Sequence, residues 1–315
     1  MVVAEKFQEI PKQAAVFHNI LVATDFSEAS RRAVCSALAL AEKDSHLSVV
    51  HVVHADWRYE MLESPPEINL ERRDEQKRLD AFLNDLHPTR QVCETLIKSG
   101  PVAHAVVSAI ADTAADLLVI GTRGRGGLSK LALGSVAEEL LRIAPCPVMT
   151  IGPKGETAKP EVGFQTILFA TDFGKGSEKA VPLALALART HRAKLILLHM
   201  LAPMPAPSTS LSAYAPAATG ADEVQEWERS SRKRCLRELR DCLPAETGLE
   251  QEPEYIVGTD FLAEGIMMAA ESRKADLIIM GANHTGSPRM AAHIPWTAVH
   301  EVVRNARCPV LTVAG

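Results

Sequence analysis

The sequence predicts an α/β protein made of two tandem domains, each a five-stranded, mostly parallel sheet flanked by helices. Three observations carry this. First, the chain is written twice: residues 20–41 read ILVATDFSEASRRAVCSALALA and residues 167–188 read ILFATDFGKGSEKAVPLALALA. Self-similarity of this kind fixes an architecture before any single element is assigned. Second, each copy runs strand, helix, strand, polar helix, strand, helix, strand, glycine-rich loop, helix, strand. Short apolar strands alternating with amphipathic helices form a parallel sheet with crossover helices. Third, both copies close on Cys-Pro-Val and an apolar strand, Val148–Ile151 in one and Val310–Val313 in the other.

Taken in order, the first strand runs into Ala23-Thr24-Asp25-Phe26, and the same four residues return as Ala170 to Phe173. The second strands match as Leu47–Val53 and Leu195–Leu201, each with a histidine inside it, His51 and His199. Ala115–Gly121 then matches Ala275–Gly281. From Leu117 and from Leu277 both are continuous apolar runs, as a parallel strand buried on both faces requires. The domains are placed at residues 1–153 and 164–315, with the polar, Gly- and Pro-containing residues 154–163 as linker. Pro203–Gly220 is low in complexity and reads as an excursion after the second copy's second strand. The matching excursion in the first copy, around Tyr59–Glu67, is shorter and more charged.

A net charge of −5 supplies no basic field, which argues against nucleic acid as the principal partner. The N-terminus carries charges where a signal peptide would be apolar, and no apolar run approaches the roughly 20 residues of a membrane span. The expected location is the cytoplasm, with no membrane partner. The six cysteines contain no C-x-x-C. In a reducing compartment they read as small buried hydrophobes or free thiols. The histidines show no metal-ligand spacing, and His51 and His199 read as packed strand residues rather than ligands.

The most informative segment is Gly121 to Ser135, GTRGRGGLSKLALGS. It follows a buried strand and leads into Ser135-Val-Ala-Glu138, a capping-box pattern at a helix start. Glycines let backbone approach an anion, free N–H groups point outward, and the helix dipole favours negative charge. Gly121, Gly124, Gly126 and Gly127, interspersed with Arg123, Arg125 and Lys130, exceed what a turn needs. Phosphate binding is the expected role. Ser135 is open to two readings that are compatible, a helix cap and a phosphate contact.

These residues resemble the universal stress protein family, over nearly the whole chain and in tandem form. The resemblance rests on Thr-Asp-Phe after the first strand, His-Val in the second and Ala-Asp-Leu-x-Val-x-Gly before the loop. It continues through G-x2-G-x9-G-[ST], met here by Gly121, Gly124, Gly134 and Ser135, to the closing Pro-Val strand. It implies Rossmann-like domains that bind ATP, commonly with a divalent metal such as magnesium. Carried over residue by residue, it implies nucleotide contacts at Ala23, Thr24, Asp25, Val52, Ile120, Gly121, Arg123, Gly124, Arg125, Gly134, Ser135 and Val136. It also implies that the last strands pair, here residues 148–151 with 310–313 inside one chain, with further homo-oligomers left open. Asp25 keeps an alternative, because Asp172 persists beside a decayed loop and either residue can fix a strand-to-helix turn.

In the second copy, counting back from Cys308-Pro-Val puts Trp296 at the place of Gly134 and Thr297 at that of Ser135. The loop is longer, His284 replaces the second glycine, and Arg289 supplies its only fixed positive charge. An indole at a close-approach glycine obstructs a phosphate, so the second site is expected to be lost and Trp296 to serve as an interface or pocket-filling aromatic. The sequence therefore predicts one ATP site per chain, in the N-terminal domain, with ATP as a regulatory ligand. Phosphoryl transfer wants a metal-holding carboxylate and a group that positions the nucleophile. Asp25 is the one acidic candidate and no Walker A lysine pattern is present. The alternatives are a slow ATPase and a nucleotide-independent scaffold or binder of apolar ligands.

Overall fold

The computed structural model describes residues 16–53, 66–86, 94–122, 133–152, 163–201, 221–259, 261–282 and 296–315. The first repeat supplies β1 (Asn19–Thr24), α1 (Glu28–Leu40), β2 (His46–Val53), α2 (Pro66–Asp85), β3 (Glu94–Ser99), α3 (Val102–Thr113), β4 (Leu117–Gly121), α4 (Ser135–Ile143) and β5 (Val148–Ile151). The second supplies β6 (Thr166–Ala170), α5 (Lys175–His191), β7 (Lys194–Met200), α6 (Ala221–Asp241), β8 (Glu254–Gly258), α7 (Leu262–Ser272), β9 (Leu277–Ala282), α8 (Trp296–Asn305) and β10 (Val310–Ala314). Pro66 and Glu67 thus belong to helix α2 and not to a loop excursion. The stretches 54–65, 153–162 and 202–220, which hold the rest of that excursion, the linker up to residue 162 and Pro203–Gly220, lie outside the described residues.

The strands form one sheet in the order β3-β2-β1-β4-β5-β10-β9-β6-β7-β8. Within each repeat the described pairs are parallel, and the two repeats meet where β5 and β10 run antiparallel. Helices cover both faces, which explains the unbroken apolar strands. Side chains alternate across each strand. On one face Val22, Val119, Phe169 and Ile279 join helices α1 and α5; on the other Leu21, Leu118, Leu168 and Ile278 join α3, α4, α7 and α8. No described helix is long and apolar enough to cross a membrane.

The aspartate of each Ala-Asp-Leu motif has a structural task. Asp116 accepts hydrogen bonds from the backbone N–H groups of His18 (2.8 Å) and Asn19 (3.1 Å). Asp276 does the same for Gln165 (2.6 Å) and Thr166 (3.1 Å). Each carboxylate latches the start of a repeat's first strand to the start of its fourth. Burial pushes the Asp276 carboxyl upward in pKa, opposed by the N–H groups it accepts.

Candidate functional site

In each repeat the first strand is flanked on one side by the second and on the other by the fourth, so the connections leave in opposite directions. Ligand crevices of open α/β sheets form outside the carboxyl ends of strands at this switch point. In the N-terminal repeat those ends are Thr24 on β1, Val53 on β2 and Gly121 on β4.

The Thr-Asp-Phe turn that leaves β1 is built from side-chain bonds to backbone. Phe26 N–H donates to Thr24 Oγ1 (3.1 Å), Ser27 N–H donates to Asp25 Oδ1 (3.0 Å), and Ser27 caps α1 by accepting from Ser30 N–H (3.2 Å). Phe26 is held at φ +63°, in the left-handed region, and its ring lies 4.3 Å from that of His51. The Nδ1 of His51 is 2.8 Å from the carbonyl of Thr24, and a carbonyl only accepts, so Nδ1 carries the proton. Its Nε2 stands 3.7 Å from Glu75 of α2. His51 is thus a clamp on the turn, as is His199, whose Nδ1 lies 2.9 Å from the carbonyl of Thr171 and whose ring lies 4.4 Å from Phe173. Burial pushes the pKa of His199 down.

The start of α4 corrects the capping-box expectation. The helix begins at Ser135, its N-cap is Gly134, and no side chain caps it. Glu138 N–H bonds to the carbonyl of Gly134 (2.9 Å), so the helix is already turning one residue before the predicted cap. Ser135 is therefore the first helical residue and is exposed. Its hydroxyl has no capping role, and the first N–H groups of α4 lack the local acceptor that Ser27 gives α1. Gly134 N–H donates to the carbonyl of Thr122 (3.0 Å), and a Cβ on Gly134 would stand 3.3 Å from that same oxygen. This brings α4 directly over the end of β4.

Gly121 has a packing task of its own. A Cβ there would come within 2.8 Å of the backbone carbon of Ala29 in α1, so this glycine is required by strand-to-helix packing whether or not a ligand is present. Gly281 is more extreme, with Ser177 N at 2.3 Å and Gly176 C at 2.4 Å. That explains why it persists in a repeat whose loop has diverged.

The predicted apolar contacts do come together. Ala23, Val52 and Val136 are partly buried and, with buried Ile120, belong to one core layer on the α3–α4 side of the sheet. Arg123, Gly124 and Arg125, with Gly126, Gly127 and Lys130, lie outside the described residues, as do His284 and Arg289.

The second repeat closes the same positions. Ala23, Asp25, Val52 and Gly121 are each partly exposed, whereas their counterparts Ala170, Asp172, Met200 and Gly281 are each buried. Asp172 accepts from Gly174 N–H (2.8 Å) and from Ser177 Oγ (2.6 Å), which turns its carboxylate inward. In the first repeat the equivalent Ser30 hydroxyl instead donates to the carbonyl of Ser27 (2.9 Å) and accepts from Thr24 Oγ1 (3.0 Å). Both aspartates therefore fix the strand-to-helix turn through the N–H two residues on, and Asp172 accepts the Ser177 hydroxyl as well. Met200 fills the position of Val52 and lies against Gly258, where an added Cβ would meet its Sδ at 2.5 Å. Trp296 begins α8 and faces the first repeat, with the guanidinium of Arg142 5.8 Å from its ring centre.

Burial pushes the thiols of Cys146 and Cys308 up to about 11 and about 12, so both stay protonated at neutral pH. Among the described residues no three His, Cys, Asp or Glu side chains gather as a metal-holding group.

Comparison with known proteins agrees with this architecture. The model of the family described as the universal stress protein family matches residues 17–152 and again 163–314. A universal stress protein of Thermus aquaticus is 35% identical over 142 residues, spanning 43% of this chain and 99% of that protein. One from Mycobacterium tuberculosis strain H37Rv is 30% identical over 191 residues, covering 58% of this chain and 63% of its own. Among solved structures, a universal stress protein from Archaeoglobus fulgidus superposes with a TM-score of 0.59 at 17% identity, covering 96% of this chain and 99% of that one, a likeness of fold.

Proposed function

Because the chain belongs to the universal stress protein family, we propose that its N-terminal repeat binds one ATP, with magnesium, as a regulatory ligand in the cytoplasm, and that its C-terminal repeat binds none. The observation that supports this reading is the contrast in burial at equivalent positions. Ala23, Asp25, Val52 and Gly121 are partly exposed, and Ala170, Asp172, Met200 and Gly281 are buried. These residues lead to α4, a helix with no side-chain cap, where a phosphate would meet backbone N–H groups and the positive end of the dipole. The adenosine would lie against Ala23, Val52 and Val136, with Asp25 at the turn beside it.

Ligand binding to the folded state alone stabilises it by mass action, about 2.7 kcal/mol at a hundredfold excess over Kd. ATP with magnesium is therefore expected to raise the melting temperature of the full chain. Gly134→Trp, which copies the second repeat at the glycine nearest Thr122, is expected to abolish the rise. No rise in the wild type, or an equal rise in the variant, contradicts the reading.

A further inference from the structure

The seam between the repeats is nearly two-fold symmetric at its base. Met149 pairs with Leu311 at its centre. On either side Thr150 Oγ1 donates to the carbonyl of Val310 (3.2 Å) and Thr312 Oγ1 to that of Val148 (3.1 Å). Counted from the shared Cys-Pro-Val, Gly134 is equivalent to Trp296, Glu138 to His300 and Arg142 to Arg304.

Above that base the symmetry is broken in one direction. His300 Nε2 lies 3.8 Å from Glu138, its own equivalent across the seam, and Glu138 also accepts from Arg142 (3.3 Å). The Trp296 ring packs 4.8 Å from His300 and takes the Arg142 guanidinium over its face. The mirror contact would need an aromatic ring at position 134 for Arg304, and glycine has none. Two glutamates facing each other here would repel; the Glu138–His300 pair attracts when His300 is protonated.

We infer that Trp296 and His300 are positioning residues for the N-terminal nucleotide site: the second repeat holds α4, and with it Ser135, in place. This rests on the reading that the N-terminal repeat binds ATP. Helix α4 is nine residues long, so fixing Glu138 and Arg142 constrains nearly all of it. Its inner side is anchored by Ala137, Leu140 and Leu141. On its outer side Glu139 lies 3.7 Å from His104 of α3, and the Trp296–His300 pair of α8 packs against Glu138 and Arg142. The indole that stands where the first repeat has Gly134 is thus a support for the N-terminal site.

The test is a fluorescence titration of the full chain with magnesium and ATP, after Trp57→Phe and Trp227→Phe leave Trp296 as the sole reporter. Nucleotide uptake is counted in parallel by native mass spectrometry. Ordering of α4 is expected to change Trp296 emission with the same saturation curve as uptake, a signal that a merely stabilising contact would not give. In otherwise wild-type protein, Trp296→Ala and Arg142→Ala are each expected to weaken uptake roughly threefold to fivefold, the range of a cation–π contact, with no further loss in the double variant and recovery in Trp296→Phe. Uptake with unchanged emission and unchanged affinity in Trp296→Ala overturns the positioning role. Absence of uptake in the wild type instead overturns the site itself.

Discussion

The two repeats share every strand and every parallel neighbour, yet they part company at the carboxyl ends of their first, second and fourth strands. The N-terminal repeat leaves Asp25, Val52 and Gly121 partly open, while the C-terminal repeat buries Asp172, Met200 and Gly281. The change is made by small means. Gly174 replaces the capping Ser27, freeing the Ser177 hydroxyl to turn onto Asp172. A methionine replaces Val52, and α5 sits closer to β9 than α1 does to β4. A duplicated site can thus be closed by repacking side chains against an unchanged sheet.

The largest test of this difference is a pair of glycine substitutions. Gly281→Ala forces a Cβ into backbone atoms of Gly176 and Ser177, and is expected to cost about 3 kcal/mol. Gly121→Ala meets Ala29 at a longer distance and is expected to cost about 2 kcal/mol in the same denaturant titration. Equal losses would break the claim that the second repeat is the more tightly closed.

The aspartates come next. Asp172→Ala strands Gly174 N–H and the Ser177 hydroxyl in a buried setting, at a cost of about 2 kcal/mol. Asp25→Ala is expected to cost about half as much and to reduce the ATP-dependent rise in melting temperature. If Asp172→Ala proves the milder change, the structural role assigned to it is wrong.

Much of this was legible in the sequence, and the failures have physical causes. The repeated strands, the helices between them and the decay of the second loop all follow from local pattern and self-comparison. The capping box failed because Ser135-x-x-Glu138 marks a helix start only to within a residue; the turn of Gly134 that begins α4 leaves no trace in side-chain type. The packing of Gly121 against Ala29 is not legible because the two residues are distant in sequence. The Asp25–Asp172 comparison reads the turn role correctly, since each aspartate accepts the N–H two residues on, but the Ser177 hydroxyl that Asp172 also accepts follows from packing and not from the shared Thr-Asp-Phe. Contacts between repeats, such as Trp296 with Arg142, are set by the pairing of β5 with β10 and by no local spacing.

Smaller effects sharpen the comparison where the halves meet. Thr150→Val and Thr312→Val each remove one seam hydrogen bond and are expected to cost about 1 kcal/mol apiece by urea unfolding. Near-equal values are expected from the symmetry at Met149 and Leu311, and a strongly unequal pair would contradict it.

The smallest effect is on pH dependence. Burial lowers the pKa values of His191, His199 and His300 below the ordinary 6.5 in the folded chain. Above 6.5 these groups are neutral in both states and their contribution to stability is complete. As pH falls through the window below 6.5 the unfolded chain binds the protons first, so stability declines. Melting temperature is expected to be level above neutrality and to fall as pH drops below 6.5. His199→Gln should flatten part of that fall; an unchanged slope would remove His199 from the account.

The central claim is the asymmetry of nucleotide binding, and its most direct measurement is the stoichiometry of ATP on the intact chain with magnesium by native mass spectrometry. One ATP per chain is predicted, lost in Gly134→Trp. A second bound ATP, or one that survives Gly134→Trp, contradicts it.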